Sequence, residues 1–191
     1  RLSLKSPRNP SKDMNVVIGD FFKIRPSQRF LLPHNIIFSD FDAIIGNPPY
    51  TRWNDLNEDE RKTVKEELKE ILKEYDLMPR RRGEIPLYVY WIIHAERFLK
   101  EHGKLGMIIS NNWLRTDYGI RFGKYLLDHF KIKALIDVSQ KIFDARITTS
   151  ILLLEKESDP NARRNNKVLI VRILSQDEKE VSEALKCIER S

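Results

Sequence analysis

The chain holds 191 residues, 41% hydrophobic and 32% charged, a balance that excludes a disordered segment and suffices for one α/β domain with a proper core. A single cysteine, Cys187, excludes an internal disulfide framework, and neither an apolar run near the ~18 residues that cross a bilayer nor a signal-peptide pattern is present, so cytoplasm is the default and no membrane partner is expected. The net charge of +6 permits nucleic-acid binding without demanding it, because 28 acidic residues are mixed in.

Residues 1–14 are polar, with Pro7 and Pro10, and read as coil. A strand is expected at Asn15–Ile18, then a connection holding Pro26 and Pro33, then a strand at Phe41–Ile45. From Asn57 the pattern turns helical, with Val64, Leu68, Ile71, Leu72 and Tyr75 forming one apolar stripe on a charged helix over 57–78 that Pro79 ends. Asn57 is the expected N-cap, with Glu58, Asp59 and Glu60 in the first turn, where the helix dipole favours them. A second helix is predicted from Leu87 to Lys100, closed by Gly103. Lys104–Ile109 reads as a strand buried on both faces, as in a parallel sheet. Another helix, Ile120–Phe130, should turn Phe122, Leu126, Leu127 and Phe130 inward.

Strands are expected at Ala134–Val138, Ser150–Leu154 and Val168–Leu174, with a polar linker over Glu157–Asn166. Residues 175–191, opened by the capping box Ser175-Gln176-Asp177-Glu178, read as a final helix. Alternating strands and helices predict an α/β fold with a mostly parallel sheet. The last two strands, with no helix between them, are expected to pair as a C-terminal antiparallel hairpin.

The most informative letters are Asn47-Pro48-Pro49-Tyr50, at the end of the apolar run Phe41–Gly46. A strand stopping there offers one amide, carbonyl acceptors and a flat ring at a sheet edge, where open α/β sheets bind ligands. That equipment suits an exocyclic amino group on a planar base. The same letters also serve as a plain turn, since Asn-Pro initiates turns and a second proline stiffens them. Asp20 stands 27 residues earlier, in Val16-Val17-Ile18-Gly19-Asp20-Phe21-Phe22, a second apolar run ending in Gly-Asp-Phe.

The tetrad resembles motif IV of the amino-methylating, S-adenosylmethionine-dependent DNA methyltransferases that act on adenine N6. The succession continues through Leu87-Tyr88-Val89-Tyr90-Trp91, Gly103–Arg115, Asp117-Tyr118-Gly119, Ile136-Asp137-Val138, Ile142-Phe143-Asp144-Ala145 and Thr149–Lys156. Over residues 15–156 it is similar to the Eco57I-like branch, found in combined restriction-modification enzymes. The resemblance implies a Rossmann-like class I methyltransferase sheet over residues 15–174 with a reversed strand. It also implies transfer of a methyl group from S-adenosylmethionine to a flipped adenine in double-stranded DNA.

By resemblance, Asn47, Pro48, Pro49 and Tyr50 are catalytic, and Tyr50 and Phe143 stack on the extruded base. Asp20 accepts a hydrogen bond from the cofactor's adenine amine, with Phe21 beside it and Trp91 walling the ring. Each also reads structurally: Tyr50 as a packed strand-end aromatic, Phe143 as core beside Ile142, Asp20 as a turn residue, Trp91 as helix packing. The family's polar residue before Leu-Tyr is replaced by Pro86, which puts the contact made there in doubt. Arg80, Arg81 and Arg82 form the densest basic cluster and are candidate DNA-backbone contacts, with Arg163-Arg164 next; solvated loops are the alternative. The roles of Asn111 and Asn112 stay unassigned.

The seven glycines include no Gly-x-Gly turn after a strand, and no acidic strand end precedes residue 15. The chain starts at Arg1, and it is expected to be the catalytic half of the domain, inactive alone. The glycine-rich cofactor loop is expected upstream and a target-recognition region downstream. His34, His94, His102 and His129 show no metal-like pairing, so no metal is expected, with Mg2+ only if a nuclease domain is attached elsewhere. Two other readings compete: a methyltransferase with this tetrad acting on protein glutamine or RNA, and a non-catalytic scaffold or DNA-binding module.

Overall fold

The computed structural model describes residues 19–28, 38–79, 85–138, 149–173 and 182–183. The expected strand at Asn15–Ile18 and most of the C-terminal helix lie outside them. Five strands form one sheet: β1 (Phe41–Gly46), β2 (Leu99–Ser110), β3 (Phe130–Val138), β4 (Thr149–Lys156) and β5 (Leu169–Ile173). Their order is β1-β2-β4-β3-β5. β1 runs parallel to β2, and β3 parallel to β5, while β4 is antiparallel to both of its neighbours. Four of the strands therefore share one direction, and the sheet is mostly parallel as expected.

The reversed strand is present, but the hairpin is placed differently. β4 does not pair with β5; it inserts between β2 and β3, so both of its edges are already occupied. β5 takes the other edge of β3 instead, in the register Ala134↔Leu169 to Val138↔Ile173. The antiparallel connection is thus β3 to β4. The linker expected over Glu157–Asn166 contains a short helix, α5 (Pro160–Arg164), with Pro160 in its first turn and the Asp159 side chain capping the Asn161 N–H.

Local chemistry explains the helices. Asn57 caps α1 (Glu58–Glu67) in a reciprocal box: Asn57 Oδ1 accepts from the Glu60 N–H at 2.9 Å and Glu60 Oε2 from the Asn57 N–H at 3.0 Å. The single helix expected over 57–78 is broken at Leu68, whose backbone leaves helical geometry, and resumes as α2 (Lys69–Glu74). It ends at Tyr75, before Pro79, with Asp76 in the left-handed region at φ 51°. Val64, Leu68, Leu72 and Tyr75 are buried as the stripe predicts.

α3 (Leu87–Glu96) is shorter than expected, because the chain turns at Arg97-Phe98 and enters β2 at Leu99. Gly103 does not close that helix. It lies inside β2 beside His102, which has φ 62°, at a bulge between the pairs Phe41↔Leu99 and Ala43↔Lys104. A Cβ on Gly103 would fall 2.8 Å from the Lys100 carbonyl oxygen and 2.9 Å from that of Phe41, so only glycine fits.

α4 (Asp117–His129) begins earlier than expected and ends as Phe130 enters β3. Phe122 and Leu126 point inward, whereas Leu127 is 58% exposed: the helix period carries it past the buried stripe. One core cluster joins residues of α1 to α4 to Leu105, Met107 and Ile109 of β2 and Leu152 and Leu154 of β4. Gly106 and Ile108, on the alternate face of β2, are partly exposed, so β2 is not buried on both faces.

Candidate active site at the carboxyl edge of the sheet

β1 delivers Asn47–Tyr50 to the edge where the parallel strands end. Pro48 and Pro49 lack N–H groups and cannot continue the ladder with β2, so the strand stops at Gly46. Pro48 is buried and wedges the turn, while Asn47 and Pro49 are exposed. Among the described residues the Asn47 side chain makes no hydrogen bond, and the Pro48 carbonyl accepts none from the backbone. Tyr50 is half-buried against the core, and its hydroxyl donates to the Ile108 carbonyl of β2 at 3.4 Å. Burial pushes its phenol above the usual tyrosine range. Behind it, the Leu87 N–H donates to the Thr51 carbonyl at 3.1 Å, tying the tetrad's exit to the first turn of α3.

A layer the sequence did not announce supports this turn. Tyr88 of α3 and Tyr118 of α4 are buried and share a hydroxyl–hydroxyl hydrogen bond of 2.9 Å. Tyr118 is held by the turn before it. A Cβ on Gly119 would sit 1.5 Å from the Trp113 carbonyl oxygen, so α4 and the 3-10 helix Asn111–Arg115 can meet only at glycine. Trp113 packs edge-on against Phe122 at 5.6 Å. Asn111 Nδ2 donates to Asp137 Oδ1 at 3.1 Å, and Arg172 Nε donates to the other oxygen at 3.0 Å, which links the ends of β2, β3 and β5. Asn112 is exposed.

The expected cofactor residues come together on α3. Asp20 caps the 3-10 turn Phe21–Lys23, its Oδ1 accepting from the Phe22 N–H at 3.1 Å, so the turn-forming reading of Asp20 is realised by one of its oxygens. Oδ2 lies 3.9 Å from Lys23 Nζ. Phe22 is buried and anchors the turn, while Phe21 stacks on Trp91 with centroids 4.4 Å apart and planes at 28°. Both of those rings are partly exposed. Trp91 is three residues from Tyr88, about 4.5 Å along the helix axis, so α3 carries the tetrad's support and the aromatic shelf on neighbouring turns.

Phe143 and Arg80, Arg81 and Arg82 lie outside the described residues. Arg163 does not present a free guanidinium: Nε donates to the Leu127 carbonyl and Nη1 to those of Glu157 and Ser158. The expectation that no histidine has metal-like company is corrected at the opposite edge of the sheet, where ligand atoms of Glu101, His102 and Glu157 lie within 4.8 Å of one another. The long-range approach of β2 and β4 makes this group, and its carboxylates are already engaged: Glu157 by Lys131, Glu101 by the backbone and hydroxyl of Ser158.

Known proteins match this geometry. The family described as Eco57I restriction-modification methylase matches residues 10–143, more than half of the chain. The type II restriction enzyme and methyltransferase RM.Eco57I of Escherichia coli is 28% identical over 167 residues, 82% of this chain and 16% of that protein. The type II methyltransferase M.BstVI of Geobacillus stearothermophilus is 34% identical over 98 residues, 51% of this chain and again 16% of the relative. The chain thus spans 16% of the length of either relative. A structure described as a class I S-adenosylmethionine-dependent methyltransferase from Listeria monocytogenes superposes with a TM-score of 0.60 at 21% identity, covering 81% of this chain and 44% of that one. That likeness establishes the fold, and the match across the tetrad and the blocks packed behind it establishes the lineage: the chain belongs to the Eco57I restriction-modification methylase family.

Proposed function

We propose that this site methylates N6 of an adenine extruded from duplex DNA, as the catalytic half of a restriction-modification methyltransferase. The observation that carries the reading is the exposed Asn47 amide, without a hydrogen-bond partner among the described residues and held at the carboxyl edge of the sheet by a buried proline beside a half-buried tyrosine ring. A residue needed only for the turn would spend that amide on the backbone.

Adenine N6 is a weak nucleophile because its lone pair is delocalised into the ring. The Asn47 side-chain oxygen and the Pro48 carbonyl accept hydrogen bonds from the amine. This favours a more tetrahedral nitrogen and puts negative potential where positive charge develops. Tyr50 offers its ring to one face of the base, a contact worth ~1–3 kcal/mol. Phe143 is assigned to the other face by its place in the succession. Arg80, Arg81 and Arg82 are assigned to phosphates.

The residues present fit the adenosine end of S-adenosylmethionine: a partly exposed aromatic shelf lies beside a carboxylate whose second oxygen faces the Lys23 ammonium at 3.9 Å and accepts no hydrogen bond among the described residues. Asp20 would hold the adenine amine, and Phe21 and Trp91 the ring. When bound, S-adenosylmethionine supplies a methyl group on a positively charged sulfur. The glycine-rich turn that completes the pocket is assigned to sequence outside these 191 residues. β1 supports this assignment, being an edge strand among the described residues with Ile45 86% exposed.

The test is product identity. The intact enzyme, given duplex DNA and methyl-labelled cofactor, should yield labelled N6-methyladenine on digestion to nucleosides. Label in N4-methylcytosine would reassign the base, and label only in protein or RNA would overturn the DNA reading.

A further inference from the structure

His94 is fully buried on α3, one turn beyond Trp91, and its ring meets Phe21 edge-on at 4.7 Å and 84°. Its Nε2 lies 3.0 Å from the Phe21 carbonyl oxygen and 3.0 Å from that of Ile24. Carbonyl oxygens only accept, so Nε2 carries the proton and donates to both. Nδ1 is then an acceptor, and Arg97 Nη1 stands 3.2 Å away to donate to it. Arg97 also reaches Glu67 Oε2 at 3.4 Å. Glu67 Oε1 takes Arg25 Nη2 at 2.6 Å and Nε at 2.9 Å. Arg25 follows Ile24, so the chain of contacts closes on the turn where it began.

We propose that His94 is a positioning residue for cofactor binding: its neutral imidazole clasps the Asp20–Ile24 turn to α3 and sets Phe21 against Trp91. The inference rests on the reading of Asp20, Phe21 and Trp91 as the adenosine site. The turn has little of its own to hold this geometry. Its internal bonds are the Lys23 N–H to the Asp20 carbonyl, the Ile24 N–H to the Phe21 carbonyl and the Asp20 cap, all within five residues. Phe22 anchors it by burial, its ring edge-on to Trp91 at 5.9 Å and tilted on His94 at 5.4 Å, contacts that hold the side chain but not the backbone carbonyls. The two bonds from His94, one to the Phe21 carbonyl and one to that of Ile24, hold the backbone from which the Phe21 ring reaches Trp91. An ammonium or guanidinium could not be buried here beside Arg97, whereas a neutral ring can. Burial, reinforced by the Arg97 charge, lowers the His94 pKa to about 4, so the proton stays on Nε2 alone at neutral pH.

The test uses the intact enzyme with S-adenosylmethionine and duplex DNA. His94→Phe keeps an aromatic ring but removes the donor; KM for cofactor should rise about tenfold or more, with kcat and DNA affinity changed less than about twofold. His94→Gln returns an N–H near the Nε2 position and should bring KM to within about threefold of wild type. Arg97→Leu, at an exposed position, leaves Nδ1 unpartnered and should raise KM about two- to fivefold. Asp20→Ala and Trp91→Ala separate the two failures. If these leave KM unchanged, the adenosine site has been misplaced; if they raise it while His94→Phe does not, the clasp plays no part in binding. Should His94→Phe not fold, Arg97→Leu decides: a raised KM supports the clasp, and a wild-type KM overturns it.

Discussion

Replacing Tyr118 with phenylalanine removes one oxygen from the layer behind the tetrad. The Tyr88 hydroxyl is then left fully buried without a partner among the described residues, where its one hydrogen bond is the 2.9 Å contact to Tyr118. An orphaned buried hydroxyl costs about 1–3 kcal/mol. The reciprocal change, Tyr88→Phe, should cost less, about 0.5–1.5 kcal/mol, because Tyr118 keeps the Thr116 side chain within hydrogen-bonding reach. Removing both oxygens leaves no orphan, so the double variant should be no worse than Tyr118→Phe alone. The coupling energy is then about 1 kcal/mol, well above the ~0.3–0.5 kcal/mol by which independent sites fail to add. The measurement is urea unfolding of wild type, both single variants and the double variant at constant slope. Additive single costs would show that the two hydroxyls do not meet in solution, and the support drawn here for Tyr50 would be withdrawn.

Gly119→Ala should destabilise by roughly 3 kcal/mol or more, because its Cβ would lie 1.5 Å from the Trp113 carbonyl, a backbone atom that moves only with its whole 3-10 helix; a melting temperature like that of wild type would contradict it. Asn57→Ala removes the side-chain half of the α1 capping box, leaving the residue-57 N–H to donate to Glu60, and should cost about 1 kcal/mol in the same unfolding assay, whereas no change would mean the cap is frayed in solution. Acid should act through His94. Its pKa is lowered to about 4 in the folded state, so the unfolded chain takes up the proton first as pH falls below about 6.5, and stability present above that pH is lost progressively towards pH 4. The full loss is of the order of 3 kcal/mol, with Arg97 deepening it and Glu67 offsetting it, and His94→Phe should show a shallower slope across this window. Equal slopes for the two proteins would place the acid sensitivity elsewhere.

What could be read ahead of the coordinates follows the range of the interactions. The Asn57 cap, the buried α1–α2 stripe and the central residues of strands β1 to β4 are written in residues that are neighbours in sequence and formed as expected, whereas the break at Leu68 and the early starts of β2 and β3 were not legible there. Gly103 shows the limit: a glycine after an apolar helix looks like a C-cap, and the carbonyl of Phe41 that actually requires it belongs to another strand. The place of β4 failed for the same reason, since nothing local says which sheet edges are free when the last strands arrive. At the candidate site, Asn47, Tyr50, Asp20 and Trp91 stand out in the sequence because the roles proposed for them rest on their own side chains. The Tyr88–Tyr118 pair spans 30 positions and the His94 bonds 73 and 70, so their meaning exists only in the folded chain.

In the proposed function the Asn47 amide acts on the reacting amine. Single-turnover methyl transfer by Asn47→Ala, in the intact enzyme with labelled cofactor and duplex DNA, measures that action with binding held apart. The predicted result is a rate lowered about 10²–10³-fold, with cofactor and DNA affinities within about twofold of wild type. Transfer at the wild-type rate would contradict it.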